Sequence, residues 1–176
     1  MAESKREPFR VATITLPDGG RLGLARLPGR YGDLDDCIAQ IQTWPANAVV
    51  SMTPIEEMRS LGASGLPLRL QEADIAHYSF PVEDYGIPVD SAALWAMISQ
   101  NMHERLDDNQ SVLLHCRGGL GRSGMVAVRL LIERGMPPDV AFGLIRDRRP
   151  GAVETVAQET WARQGLLRQH IRTSRR

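Results

Sequence analysis

Ser111-Val112-Leu113-Leu114-His115-Cys116-Arg117-Gly118-Gly119-Leu120-Gly121-Arg122-Ser123-Gly124 is the stretch on which the reading of this chain turns. Ser111–His115 is a short apolar run of the kind that forms a buried strand. Beyond the glycines, Met125 to Glu133 carries apolar residues at helical spacing, Val126, Leu130 and Ile132 among them, and Gly135 follows as a stop signal. A glycine-rich turn therefore joins a strand end to a helix start, with Cys116 at its entrance and Arg122 at its exit.

Such a turn favours a bound oxyanion. Helix N-termini present unpaired N–H groups and a partial positive charge. Gly118, Gly119 and Gly121 let the backbone curl with its N–H groups inward, as a nest. Arg122 can clamp two phosphate oxygens at once. The field that holds a phosphate dianion also stabilises a thiolate, which makes Cys116 a candidate nucleophile. Ser123 can donate a hydrogen bond to that sulfur and ease its later departure. Lys5 is the only lysine of the chain, so an arginine here is less diagnostic than usual and the spacing carries the argument.

Working upstream, Pro81-Val82-Glu83-Asp84-Tyr85-Gly86-Ile87-Pro88 follows a strand-like run, Ile75–Phe80, and places two adjacent carboxylates between prolines. A loop of this kind can act as a lid that brings an acid over the anion site, with either Glu83 or Asp84 as the acid. Phe9–Leu16 and Arg21–Leu27 read as a hairpin around Pro17-Asp18-Gly19-Gly20. A helix should start near Asp33 or Asp35, with Leu34, Ile38 and Ile41 on one face, and stop before Pro45. Cys37 within it reads as a small buried apolar residue. Asn47–Met52 is a buried strand, and Thr53-Pro54-Ile55-Glu56 starts a helix with Thr53 at the cap. Leu68–Asp74 is a short helical segment. His77 is expected to be packed and hydrogen-bonded rather than a ligand.

Asp90-Ser91 should cap a helix through about Leu106, with Leu94, Met97, Ile98 and Met102 buried and His103 solvated. Downstream of the anion loop, Pro137-Pro138-Asp139 opens a helix through Arg146. A last helix is expected from about Thr155 to Arg172, carrying Val156, Trp161, Leu166 and Leu167. Arg146, Arg148 and Arg149 either rim the site or form a solvated helix end. Strands alternating with helices predict an α/β sandwich, with a central, largely parallel sheet flanked by helices and extended by the N-terminal hairpin.

The 176 residues suit a single domain over 9–176 after a loose tail at 1–8. Hydrophobic residues at 43% and charged residues at 24% are ordinary for a soluble globular chain. A formal net charge of zero excludes broad attraction to nucleic acid or membrane. Cys37 and Cys116 cannot make a disulfide framework, and no histidine or cysteine has a partner at metal-ligand spacing. With no transmembrane-length apolar run and a charged start, the expectation is a cytoplasmic monomer needing neither cofactor nor metal.

Cys116-x5-Arg122-Ser123 between a strand and a helix resembles the signature of the cysteine-dependent protein tyrosine and dual-specificity phosphatases. The string His115-Cys116-x-Gly118-Gly119-Leu120-Gly121-Arg122-Ser123-Gly124 is most similar to the kinase-associated phosphatase branch. The resemblance spans residues 30–172 and implies the same fold. It implies Asp84 as general acid, closing with Pro88 four residues on, and a phosphate cradle of Arg117, Gly118, Gly119, Leu120, Gly121 and Arg122. It places Gln158 where the family positions the hydrolytic water, and His115 as a support of the loop. The tryptophan of the family's Trp-Pro-Asp loop is missing, since Ser79 and Phe80 precede Pro81, which suits the dual-specificity branch. Inositol and lipid phosphatases of the superfamily place basic residues one and four positions after the nucleophile. Here Arg117 has no companion, because Leu120 holds the fourth position. The implied substrate is therefore a phosphorylated protein, phosphotyrosine peptides above inositol polyphosphates, or else a small phosphomonoester. A phospho-ligand module without turnover is the alternative from another class. Arsenate reduction or sulfur transfer fits poorly, since those relatives carry the loop near the N-terminus.

Overall fold

The computed structural model describes residues 8–168; residues 1–7 of the expected tail at 1–8, and the end of the last expected helix, lie outside them. Five strands form one sheet: β1 (Ala12–Thr15), β2 (Arg21–Arg26), β3 (Ala48–Ser51), β4 (Ala76–Ser79) and β5 (Ser111–Cys116). Their order is β1-β2-β5-β3-β4. β1 and β2 are the antiparallel hairpin, and β2, β5, β3 and β4 run parallel. This is the expected α/β architecture, with the hairpin at one edge and β5 at the centre.

Parallel strands covered on both faces are rich in apolar residues, and β5 is buried throughout, with Val112, Leu113 and Leu114 at its centre and Ser111 and His115 as buried polar positions. Val112, Leu114 and Cys116 pack into one layer with α4 (Ala92–Asp107), α5 (Gly121–Glu133), α6 (Pro138–Arg148) and α7 (Val156–Arg163). Leu113 points the other way, into a layer with α1 (Leu34–Thr43), α2 (Ile55–Ser60) and α3 (Leu66–Glu72). Because side chains alternate along a strand, His115 faces the α1–α3 layer while its neighbour Cys116 faces the α4–α7 layer.

Helix starts follow local chemistry where a side chain can reach. Asp33 caps α1 by accepting from Asp35 N (2.8 Å) and Asp36 N (3.2 Å), and Thr155 caps α7 by accepting from Gln158 N. Thr53 does not cap α2: Pro54 takes the cap position in extended geometry, and the Thr53 hydroxyl is buried without a partner. Ser91 occupies the α4 cap position, but its side chain makes no capping bond. Cys37 is buried as expected and accepts from Gly29 N at 3.4 Å, and burial pushes its thiol above the ordinary value.

Three further expectations fail. His103 is 4% exposed rather than solvated, because Nε2 meets Glu133 of α5 at 2.9 Å. The buried stripe of α4 is Trp95, Ile98, Ser99, Met102, His103 and Leu106, and its polar members all bond Glu133. That stripe turns Met97 to solvent at 50% exposure. The last helix ends at Arg163, short of the expected Arg172; Gly165 follows, where an added Cβ would lie only 3.2 Å from Arg129 O, and Leu166 and Leu167 are exposed. Among the described residues, no helix is long and apolar enough to cross a membrane, and no His/Cys/Asp/Glu group could hold a metal.

Candidate active site

β5 ends on Cys116 and α5 begins at Gly121, so the loop between them lies over the carboxyl edge of the sheet, where open α/β folds keep their ligand sites. Its carbonyls are all engaged outside the loop. Arg117 O accepts from Arg30 Nη1 (3.0 Å) and Leu27 N (3.3 Å). Arg149 spans the next two, reaching Gly118 O at 2.9 Å and Gly119 O at 3.0 Å. Leu120 O accepts from Gly124 N (3.0 Å) and Val153 N (3.2 Å). In a trans peptide the N–H points opposite the carbonyl, so the N–H groups of Gly118, Gly119, Leu120 and Gly121 are turned to the loop's inner side. Gly119 has φ +70°, and a Cβ there would sit 2.5 Å from the Ala25 carbonyl carbon of β2; only glycine fits.

Cys116 is buried, and its Sγ lies 3.4 Å from Ser123 Oγ in the first turn of α5. Arg122, also in that turn, is 1% exposed. Nη1 donates to Glu57 Oε2 (2.7 Å) and to Val82 O (2.9 Å); Nη2 donates to Glu57 Oε1 (3.0 Å) and to Asp84 Oδ1 (2.9 Å). Burial works against the guanidinium charge, but Glu57 and the acidic groups around it hold Arg122 above its ordinary value. The two carboxylates of the acidic loop are thus separated. Both are exposed, but Asp84 lies on Arg122 and 3.7 Å from Arg117 Nη1, whereas the Glu83 side chain has no ion pair among the described residues.

The acidic loop is tied at both ends. Val82 N donates to Met52 O (2.9 Å) and Val82 O takes the Arg122 bond. Gly86 O accepts from Gln158 Nε2 at 3.2 Å. Gln158 is fully buried, and its Oε1 accepts from Glu154 N at 2.9 Å. Of the three downstream arginines, Arg149 braces the anion loop, Arg146 binds Ala152 O at 3.0 Å, and Arg148 is exposed near Asp147. His115 is buried beneath the loop with Nε2 2.5 Å from Ser51 Oγ; burial drives its pKa down from 6.5 to about 3, so the ring is neutral. His77 is partly buried and bonded to Ser51, as expected of a packed histidine.

Two of these residues have no sequence motif. Glu57 stands 65 positions before the arginine it grips, and Arg149 reads locally as a charged helix end. An acidic residue in the first turn of α2 was the available hint for Glu57, but helix-dipole stabilisation explains that placement equally well.

A thiol at a strand end, an anion nest at a helix start and a buried guanidinium reached by a loop carboxylate define a cysteine-dependent phosphatase, and known proteins supply its family. Residues 49–162 match the family model described as PTP-SAK, Swiss Army Knife protein, DSP-PTPase phosphatase domain, and the chain belongs to that family. Rat cyclin-dependent kinase inhibitor 3 is 34% identical over 168 residues, covering 89% of this chain and 78% of its own length. A crystal structure of kinase associated phosphatase, with its catalytic-site cysteine substituted by serine, superposes with a TM-score of 0.81 at 24% identity, covering 90% of this chain and 94% of that one. Tk-PTP in its active form is 29% identical with a TM-score of 0.65, covering 83% and 91%. The chain is a protein tyrosine/dual-specificity phosphatase.

Proposed function

We propose that the chain hydrolyses phosphomonoesters in two steps through a phosphocysteine on Cys116. The thiolate attacks phosphorus in line while the inward N–H groups of 118–121 and Arg122 hold the equatorial oxygens. Asp84, protonated, gives its proton to the leaving alkoxide or phenolate. Water positioned by Gln158 and deprotonated by Asp84 then releases phosphate, and Ser123 stabilises the departing thiolate. His115 supports the loop. The observation that carries this reading is the pairing of Arg122 with Asp84 at 2.9 Å beside Cys116, which supports Asp84 over Glu83.

The proposed substrate is a phosphorylated protein segment, phosphotyrosine above inositol polyphosphate. Arg117 pairs with Asp84 and has no second cation at position 120, which supports a site for one phosphate. Tyr85, Ile87 and Val89 after Asp84, and Val156 two residues before Gln158, expose apolar side chains suited to a polypeptide. The neutral net charge supports a protein partner rather than nucleic acid or membrane, and the proposal includes a cytoplasmic monomer. Purified protein should turn over phosphotyrosine peptides with higher kcat/KM than inositol polyphosphates or phosphoinositides. Arg117→Ala should cost less than about tenfold with the peptide, since the side chain lies at a solvated rim. A phosphoinositide preference lost on removing Arg117 would overturn the substrate assignment.

A further inference from the structure

Residues 149–155 join α6 to α7 through a strained turn. Val153 has φ +62°, an outlier for a β-branched residue. Hydrogen bonds fix it there. Val153 N donates to Leu120 O (3.2 Å) and Ala152 N to Arg149 O (3.0 Å), while Arg146 donates to Ala152 O (3.0 Å) and Val153 O (3.4 Å). Ala152 and Val153 are also buried against α5, where a Cβ on Gly124 would lie 2.9 Å from Val153 N. Strain of this kind persists only where the surroundings over-determine it, and it gathers at sites that need one geometry.

What the turn delivers is Glu154. Its N–H donates to Gln158 Oε1 at 2.9 Å, and its carboxylate abuts Gly121, where an added Cβ would meet Glu154 Oε2 at 2.3 Å. Gly121 closes the anion loop and opens α5. An oxygen bonded to the Gly121 N–H therefore lies within about 8 Å of that carboxylate. Glu154 is exposed and has no ion pair among the described residues. Arg146 pairs with Glu159 at 3.6 Å and Arg149 is bonded to loop carbonyls, so neither cation is placed on Glu154. An acid just before α7 would ordinarily be explained by the dipole of that helix. Here the carboxylate turns instead to the start of α5, the positive end that faces the phosphate.

We propose that Glu154 is a specificity-determining residue of the phosphatase site, a held negative charge that rejects substrates bearing a second anion beside the scissile phosphate. The substrate so selected is singly phosphorylated, with neutral or basic side chains next to the phosphorylated residue. This rests on the phosphate site proposed above and names the charge that site accepts. The scissile phosphate has the loop N–H groups and Arg122 to hold it. A second phosphate or carboxylate meets Glu154, and finds Arg117 already beside Asp84 at 3.7 Å. At a solvated rim, repulsion between unit charges about 7 Å apart amounts to roughly fivefold in Kd.

Cys116→Ser protein, which binds without turnover, is titrated with 3- and 4-carboxyphenyl phosphate and with their uncharged isosteres, 3- and 4-carbamoylphenyl phosphate. At about 50 mM salt the carbamoyl compound should bind roughly fivefold tighter in at least one of the two pairs. Adding Glu154→Gln should abolish that difference, whereas Glu154→Asp, which keeps the charge, should retain it. Raising salt to about 1 M should shrink the difference in Cys116→Ser and leave Cys116→Ser/Glu154→Gln unchanged. Equal binding within both pairs, a preference for the carboxylate, or discrimination that survives Glu154→Gln would overturn the proposal. Failure of Cys116→Ser to bind any aryl phosphate would instead overturn the phosphate site itself, and this selectivity with it.

Discussion

Asp84→Asn should weaken turnover and tighten the binding of inorganic phosphate. In the resting site Asp84 Oδ1 holds Arg122 Nη2 at 2.9 Å, and Glu57 with Val82 O engages the rest of Nη1 and Nη2. A bound phosphate must take this carboxylate's place on the guanidinium and then lie beside it, anion against anion. Two unit charges about 4 Å apart at an effective dielectric near 20 interact by about 4 kcal/mol. The Asp84 side chain is 35% exposed, so water screens much of that, leaving about 1.5 kcal/mol, or roughly tenfold in Kd. Calorimetric titration of phosphate into Cys116→Ser and Cys116→Ser/Asp84→Asn isolates the effect, because neither variant can form the phosphocysteine. With Cys116 present, Asp84→Asn should lower kcat by about 10²–10⁴, most for poor leaving groups. Unchanged or weaker phosphate binding in the double variant would refute the competition. A large kcat loss in Glu83→Gln, with none in Asp84→Asn, would move the acid to the neighbouring carboxylate.

Other perturbations test the scaffold. Glu57→Gln leaves the buried Arg122 charge with Asp84 as its remaining carboxylate partner; it should cost about 2 kcal/mol in urea unfolding and at least about tenfold in kcat/KM, and a neutral outcome would deny the pair its role. Gly119→Ala forces φ +70° on an L side chain and drives its Cβ to 2.5 Å from Ala25 main chain; melting temperature and turnover should both fall sharply, by at least about 3 kcal/mol of stability. His115 has its folded pKa lowered to about 3 from 6.5, so the unfolded chain takes up the proton first. Its contribution is complete above pH 6.5 and is lost as pH falls toward 3, about 2 kcal/mol between pH 7.5 and pH 5. His77, lowered by burial, adds the same sign. Urea unfolding of wild type against His115→Gln at the two pH values measures it, and a wild type that gains stability on acidification relative to the variant contradicts the buried neutral ring.

What was legible in the chain was what local physics determines. Ser111–His115 reads as a buried strand because its centre, Val112-Leu113-Leu114, is a short apolar run, as a strand covered on both faces requires. The turn after it reads as an anion loop because glycines, a helix start and an arginine are contiguous. The pattern narrowed the acid to Glu83 or Asp84, and the preference for Asp84 in the proposed mechanism rests on its pairing with Arg122, which the sequence does not reveal. Pairings across the fold were not legible. His103 and Ser99 look like surface residues of α4 until Glu133 arrives from α5 to satisfy them, and that partner displaces Met97 from the buried stripe. Glu57 reaches Arg122, and Arg149 the loop, only by tertiary geometry, and Ser51 meets both His77 and His115 only because β3 lies between β4 and β5. The end of α7 depended on Gly165 meeting Arg129 across the layer, a contact that helical periodicity over 155–172 does not reveal.

The central claim is that phosphate passes through the sulfur of Cys116. Asp84→Asn should slow release of the phosphoryl group while leaving its formation from an aryl phosphate with a good leaving group comparatively fast. Acid quench within a turnover, followed by peptide mass spectrometry, should therefore find one phosphoryl group on the peptide containing Cys116, and none in Cys116→Ser. Label on another residue, or phosphatase activity that survives Cys116→Ser, would contradict the account.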